Sequence, residues 1–387
     1  MKNQNPPFAW SSQSKLCLQL AAAVCLLCLA AIPAPADDSK SSPAKNVTVQ
    51  DKFGGQIFGY GVDRNGTEGM LSEIVELSDG NLLNATETFD QKTGKIIKVV
   101  HKKTETKDNL ITLGVVGSHV GLEEVEHVKI LFVDKITFNT VNPLDGNKLT
   151  APWTPPIDGK TQGLEDVEAD QGTPNVAVMA SPYSCCARFV FGPDVAANTF
   201  GPKINLTDDV LNASVPPVMA FDSKTNQAVL AQAQGAPFSV PEIALVNLAK
   251  GKISEFTGLG FGFVNGLAVD SNTGIACTTT ETDNSAEFYN LAKKTGFIVQ
   301  LPNIGKYSGA TVAIDPVHKL FFIAHPVPGA LGQIHIYNEK GNLKKSLTGF
   351  TIGPGGTNIA LNPANRTGFV QSPGSNNRFS GLQSFTY

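Results

Sequence analysis

Cysteine is scarce in this chain, with six residues in 387, and Cys17, Cys25 and Cys28 fall in the first 28 positions. The remaining three, Cys185, Cys186 and Cys277, are too few to form a disulfide framework, so the fold must rest on a hydrophobic core. Charge is sparse at 17 % of residues and is dispersed, with a formal net charge of −4. A mildly acidic chain without basic patches excludes nucleic acid and anionic membrane surfaces as natural partners. Beyond residue 36 no stretch is long and apolar enough to cross a bilayer as a helix. Helical apolar stripes are missing too. So are a Gly-x-Ser-x-Gly elbow, a phosphate-binding Gly-x4-Gly-Lys-Ser/Thr loop and a His-Glu-x2-His pair.

Acidic residues are also missing before Asp37, while Lys2 and Lys15 precede the apolar run LCLQLAAAVCLLCLAAI of residues 16–32. The run ends in Ala34-Pro35-Ala36, a small-x-small cleavage signal, and this pattern predicts a secretory signal peptide over 1–36. Val24 and Leu27 stand before Cys25 and Cys28, where a lipoprotein signal needs a small residue, so lipid anchoring is excluded. The expected mature chain begins at Asp37 and is secreted or periplasmic, with no membrane insertion after cleavage. A polar linker over 37–46 then leads to a single domain over 47–387.

That domain shows period-2 apolar alternation broken by Gly, Asn, Asp and Pro. Four segments are self-similar: VMAFDSKTNQAVLAQ from Val218, GLAVDSNTGIACTTT from Gly266, TVAIDPVHKLFFIAH from Thr311 and NIALNPANRTGFVQS from Asn358. Each is a short strand, an Asx residue, a polar turn and a second strand. The Asx residues are Asp222, Asp270, Asp315 and Asn362, spaced 48, 45 and 47 residues apart. Their side chains are suited to accept hydrogen bonds from N–H groups two or three residues on, and Asn226 and Gly274 tolerate the left-handed backbone that closes such a turn. Second hairpins follow at Asn247–Gly251 and Asn338–Gly341. Weaker copies lie near Asn175–Met179, at Val128–Val133 and at Glu73–Thr93, the last with the turn Asp90–Gly94.

Two hairpins per repeat make a four-stranded sheet, and a period in the mid-forties predicts an all-β, seven-bladed β-propeller; six or eight blades stay open. The last repeat holds three strands, so a strand from Val47–Ile57 is expected to complete it and close the ring. The strand–Asx–turn–strand repeats over roughly residues 215–387 resemble the NHL and YVTN types of propeller. That resemblance implies a fold only, because propellers serve as enzymes, binders and scaffolds.

Two further segments resemble the regucalcin/gluconolactonase propellers. Phe263–Asp270 is similar to their Asn-Gly-Leu strand, and Thr67–Met70 to their Glu-Gly segment. The resemblance implies a divalent ion held by Glu68 and Asn265, with Asn175 and Asn358 as the residues that could complete it. Oxygen donors of this kind suit Ca²⁺, which could polarise a lactone carbonyl. The other reading is that Asn265-Gly266 forms a tight opening turn and Glu68 is a solvated acid.

Three more groups invite a site. His119, Glu123 and His127 would align for zinc on a helix, but the following Val128–Val133 reads as strand, where the two histidines stand too far apart. The carboxylates of 165–170 alternate like a calcium loop without its glycine or its final bidentate acid, and read as a solvated acidic loop. Adjacent Cys185 and Cys186 could form a strained vicinal disulfide, whereas Cys277, among apolar neighbours, reads as a buried free thiol. Gly258–Gly262 lacks the third glycine of a dinucleotide fingerprint, and no cofactor is expected apart from the Ca²⁺ of the hydrolase reading. Sequons stand at Asn46, Asn65, Asn84, Asn205, Asn212 and Asn365. Two functions follow. The first is an exported module binding a small molecule or protein at one face. The alternative is a Ca²⁺-dependent lactonase or esterase-like hydrolase at the central channel.

Overall fold

The computed structural model describes residues 41–43, 48–50, 52–63, 66–105, 122–125, 129–134, 137–142, 148–149, 162–169, 176–182, 188–192, 201–206, 217–233, 240–280, 282, 284–302, 309–352, 358–373 and 379–387. The signal peptide and its cleavage site, Asn175, Cys185, Cys186, His119 and His127 lie outside the described residues.

Two short strands come first, β1 (Ser41–Pro43) and β2 (Thr48–Gln50). Then follow β3 (Gln56–Val62), β4 (Glu68–Glu76), β5 (Leu82–Asp90) and β6 (Ile96–Glu105), hydrogen-bonded in chain order. The same up-and-down order recurs in β7 (Leu122–Val125), β8 (Lys129–Asp134), β9 (Thr137–Asn142) and β10 (Lys148–Leu149), and in β11 (Gln162–Ala169), β12 (Val176–Pro182), β13 (Arg188–Phe191) and β14 (Ile204–Leu206). It continues through β15 (Val218–Asp222), β16 (Gln227–Ala233), β17 (Pro241–Asn247) and β18 (Ile253–Thr257), then β19 (Val264–Asp270), β20 (Ile275–Thr280), β21 (Ser285–Asn290) and β22 (Thr295–Gln300). The last strands are β23 (Thr311–Asp315), β24 (Leu320–Val327), β25 (Ala330–Asn338) and β26 (Leu343–Phe350), with β27 (Ile359–Asn362), β28 (Thr367–Pro373) and β29 (Phe379–Thr386). Among the described residues this makes seven sheets. β2 lies antiparallel on β29, with Val49 opposite Leu382, giving the last sheet its fourth strand. β1, inside the stretch read from sequence as linker, lies parallel on β26 as a fifth strand.

The first strands neighbour one another in the order β3, β7, β11, β15, β19, β23, β27, and β27 lies beside β3. Middle strands are covered on both faces, which explains their nearly unbroken apolar runs. Along β17, Ala244 and Val246 pack with the residues of the preceding sheet, and Ile243 and Leu245 with Leu267, Val269 and Tyr289 of the following one. First and last sheets share a core in which Val49, Ile57, Met70 and Phe89 meet Phe369 and Leu382. Phe89 and Phe369 sit edge to face at 5.4 Å, an arrangement that adds about 1 kcal/mol beyond burial.

The Asx turns form as their chemistry dictates. Asp222 accepts from Thr225 N (3.3 Å) and Thr225 Oγ1 (2.6 Å), Asp270 from Asn272 N (2.9 Å), and Asn362 Oδ1 from Asn365 N (3.1 Å). Asp315 accepts from Val317 N and His318 N (2.9 and 3.0 Å) and from Tyr387 Oη (2.7 Å). Asn226 (φ 51°) and Gly274 (φ 69°) take the left-handed conformation, and Lys319 and Arg366 do so at the same place in their turns. A fifth Asx acceptor between a first and a second strand, unrecognised in the sequence, is Asp63, which accepts from Gly66 N at 2.8 Å without a left-handed residue four positions on.

Two sequence expectations need correction. The weaker copies at Asn175–Met179, Val128–Val133 and Glu73–Thr93 fall mainly on second and third strands (β12, β8, and β4 with β5), not on first strands. For the first two copies the reason is that β11 and β7, the first strands there, carry Glu165, Asp166, Glu168, Glu123 and Glu124, so the apolar signal moves to their neighbours. β3, before Glu73–Thr93, is instead uncharged but interrupted by Gly59 and Gly61. The acidic stretch read as a loop is, up to Ala169, the strand β11 with an irregularity between Leu164 and Asp166.

Candidate functional site

Antiparallel order gives every sheet two unlike ends. The turns between first and second strands and between third and fourth strands lie at one end. Links from second to third strands, and from one sheet to the next, lie at the other. The turn end is knitted from sheet to sheet: Ser271 Oγ accepts from Ser223 N, Lys224 Nζ donates to Asn272 O, and Asn362 Nδ2 donates to Asp63 O and Gly66 O. Its links are mostly short, such as 223–226, 271–274, 316–319 and 363–366, with 192–203 the long exception. Connections at the other end include 106–121, 150–161, 207–217 and 301–310.

Beneath this connection end lies a tier of buried polar side chains. Counting ten residues from Asp63, Asp222, Asp270 and Asp315 reaches Glu73, Gln232, Thr280 and His325, all at most 1 % exposed. Glu73 accepts from Phe53 N (3.2 Å) and Gly55 N (2.8 Å), and Glu87 from Lys52 N (2.9 Å). Two buried carboxylates therefore hold the link from β2 to β3. In the β19–β22 sheet Glu287 accepts from Thr278 Oγ1 and Thr280 Oγ1 (both 2.7 Å) and from Ser285 Oγ. Beside it Tyr289 Oη accepts from Leu259 N at 2.8 Å, fixing the glycine-rich link into β19; burial, then Glu287, raise this phenol's pKa.

In the next sheet His325 and His335 stack with ring centroids 4.9 Å apart. Ser346 Oγ lies 2.8 Å from His335 Nδ1, and His325 Nδ1 lies 2.9 Å from Pro326 O. Burial pulls both imidazoles below the ordinary histidine range, His335 to about 3, where His325 adds to the effect. Burial likewise raises the carboxyls of Glu242 and Glu255 in the β15–β18 sheet, and Glu242 adds to the shift of Glu255. The connection end thus offers neutral donors and acceptors together with a carboxylate pair that binds protons readily. None of these residues stood out from sequence, although counting from the turn Asx would have found the tier.

Glu68 begins β4 at the turn end, where burial and then Asp63 and Asp90 raise its pKa. Asn265 is the second residue of β19 and Asn358 directly precedes β27, both at the connection end. The structure therefore does not bring Glu68 to the end shared by Asn265 and Asn358. Asn358 is exposed, and its carbonyl accepts from Tyr60 Oη. Asn265-Gly266 is no turn: it forms a bulge within β19, and Gly266 is needed because a Cβ there would lie 2.8 Å from Val312 N of β23. Glu123 lies in strand β7. Among the described residues no group of three or more histidine, cysteine or acidic side chains could hold a metal ion. Cys277 is a buried free thiol whose pKa burial drives up.

No family model matches the chain, and no curated protein matches it. Solved structures do. The structure of U3-55K, a WD40 β-propeller, aligns with a TM-score of 0.59 at 10 % identity, covering 89 % of this chain and 100 % of that one. The chain is similar to it in fold alone. It is an all-β protein built of repeated four-stranded antiparallel sheets in the manner of a β-propeller.

Proposed function

We propose that this chain is a seven-bladed propeller, closed by β2 on β29, that works after export as a non-catalytic module binding a protein or small molecule across its connection end. The asymmetry of the two ends carries the reading. Short Asx turns close one end, while long connections over a buried polar tier form the other, and propellers with extended loops on one face present a binding surface there. Closure is supported by the return of β27 to β3 and by hydrogen bonds from Gln371 to Tyr60 and Ile57. Export rests on the apolar run and the Ala34-Pro35-Ala36 signal. The NHL and YVTN likeness of the repeats fits this reading.

A photo-crosslinking amino acid at Val240, exposed at the connection end, is compared with one at Val317, exposed in a turn. Expressed in the native host, the Val240 form should give discrete adducts and the Val317 form none. Adducts at Val317 alone would overturn the assignment of the face. Lactone and ester turnover by the purified protein that is lost on chelation would instead establish the calcium-dependent hydrolase. The separation of Glu68 from Asn265 and Asn358 weighs against that alternative.

A further inference from the structure

We infer that β22 is a dimerisation edge, on which a second copy of this chain adds its own β22 antiparallel across a two-fold axis. Outer strands of a sheet expose unpaired N–H and C=O groups, and proteins blunt such edges with charge, shortness or a covering strand. The described outer strands here follow that rule with one exception. β6 carries Lys98, Lys102 and Lys103, β10 carries Lys148, β18 carries Glu255, and β2 and β14 are three residues long. β26, with Lys344 and Lys345, is covered by β1. β22 reads Thr-Gly-Phe-Ile-Val-Gln, six residues without charge or proline, and ends its sheet. All but Val299 are exposed, Phe297 at 42 % and Ile298 at 44 %.

The absence of charge favours a second copy as the occupant. A two-fold axis through an antiparallel pair sets only the central residue opposite its own copy and reverses the rest of the strand onto itself, so several like charges on one strand are brought against one another. Self-pairing of β6 would gather its lysines against each other. Centring the axis on Phe297 or Ile298 in β22 places only uncharged residues in register, with Lys294 opposite Gln300 or Pro302 rather than opposite its own copy. The same molecule shows that an outer edge of this fold accepts another strand, because β1 lies on β26. Six residues bury less than a standard interface, so the dimer should be weak and concentration-dependent.

Sedimentation equilibrium of the purified mature protein across the micromolar range tests this. A monomer–dimer equilibrium is expected, with Ile298→Lys raising the dissociation constant at least about tenfold. Val317→Lys, on an exposed turn, should leave it unchanged. Mixing Ile298→Lys with Ile298→Glu should restore a dimer containing one of each, a readout that only folded variants give. Wild-type protein monomeric throughout, as expected if the edge instead awaits a strand from another protein, overturns the inference. So does assembly beyond the dimer, or a dimer indifferent to Ile298→Lys.

Discussion

The two ends of the sheets solve the same problem, satisfying backbone groups where strands stop, by opposite means. At the turn end an Asx side chain four residues from a left-handed residue does so locally, and the solution repeats at Asp222, Asp270, Asp315 and Asn362. At the connection end the acceptors come from far along the chain, as when Glu73 and Glu87 hold the 52–55 link. Local solutions can be copied from repeat to repeat. Distant ones differ in every sheet, with carboxylates in one, hydroxyls around Glu287 in another and stacked imidazoles in a third. Diversity at one end over a constant frame is what a binding surface needs.

The largest effect should come from removing a distant acceptor. Glu73→Ala leaves Phe53 N and Gly55 N without partners beside the shared core of the first and last sheets, and should destabilise by about 3 kcal/mol. Asp222→Ala, at the turn end, should cost about 1 kcal/mol, because its donors lie closer to solvent. Urea midpoints that moved equally for both would erase the distinction between the ends.

A smaller contrast concerns two glycines of one hairpin. Gly266→Ala drives a methyl against Val312 N and Thr311 Cα of the adjoining sheet and should cost about 2 kcal/mol. Gly274→Ala meets nothing within 4 Å, so only its left-handed backbone resists, at about 1 kcal/mol. Thermal unfolding of the two variants gives the order directly, and a reversed order would mean that β19 can move away from β23.

The finest test is acid. Burial, reinforced by Glu339, pushes the Asp270 carboxyl up from 3.8 to about 6. The folded protein then takes a proton below about pH 6 that the unfolded chain takes only near 3.8, so this group's contribution to stability grows as pH falls between them. His335 works the other way. Its imidazole is held down from 6.5 to about 3, so below 6.5 the unfolded chain binds a proton that the folded one refuses, and stability falls. Between about pH 6 and pH 4, His335→Gln should lose less stability than wild type, and Asp270→Asn should lose more. Denaturant midpoints at a series of pH values measure both. Parallel curves for the two variants would show that neither group is held as the structure has it.

The C-terminal repeats were legible in the sequence because short-range chemistry writes them: an Asx acceptor, a left-handed residue four positions on and apolar strands to either side. Asp63 is harder to read because Thr67, four positions on, does not take the left-handed backbone found at that place in the other four turns. The N-terminal repeats read poorly since the acidic residues of β7 and β11 broke the apolar pattern of a first strand. For the candidate site less was legible. Nothing local marks Glu73, Thr280 or His325 as facing buried partners, and the only sequence signal of the polar tier is a fixed count of ten from the turn Asx.

By itself the sequence determined an all-β chain, the period of its repeats, the chemistry of its turns and the free state expected of Cys277. Each of these depends on residues within a few positions of one another or on composition. The sequence also pointed to a strand within 47–57 for the last sheet, but only the tertiary structure decided that residues 48–50 are the ones that pair with β29 and that β1 adds to β26. It also separated Glu68 from Asn265 and Asn358, and left β22 as an uncharged, exposed edge. The strand pairings join residues such as Ser41 with Ser346 and Thr48 with Gln383, more than 300 positions apart, whose loop-closure cost is offset by burial and pairing that no local pattern encodes.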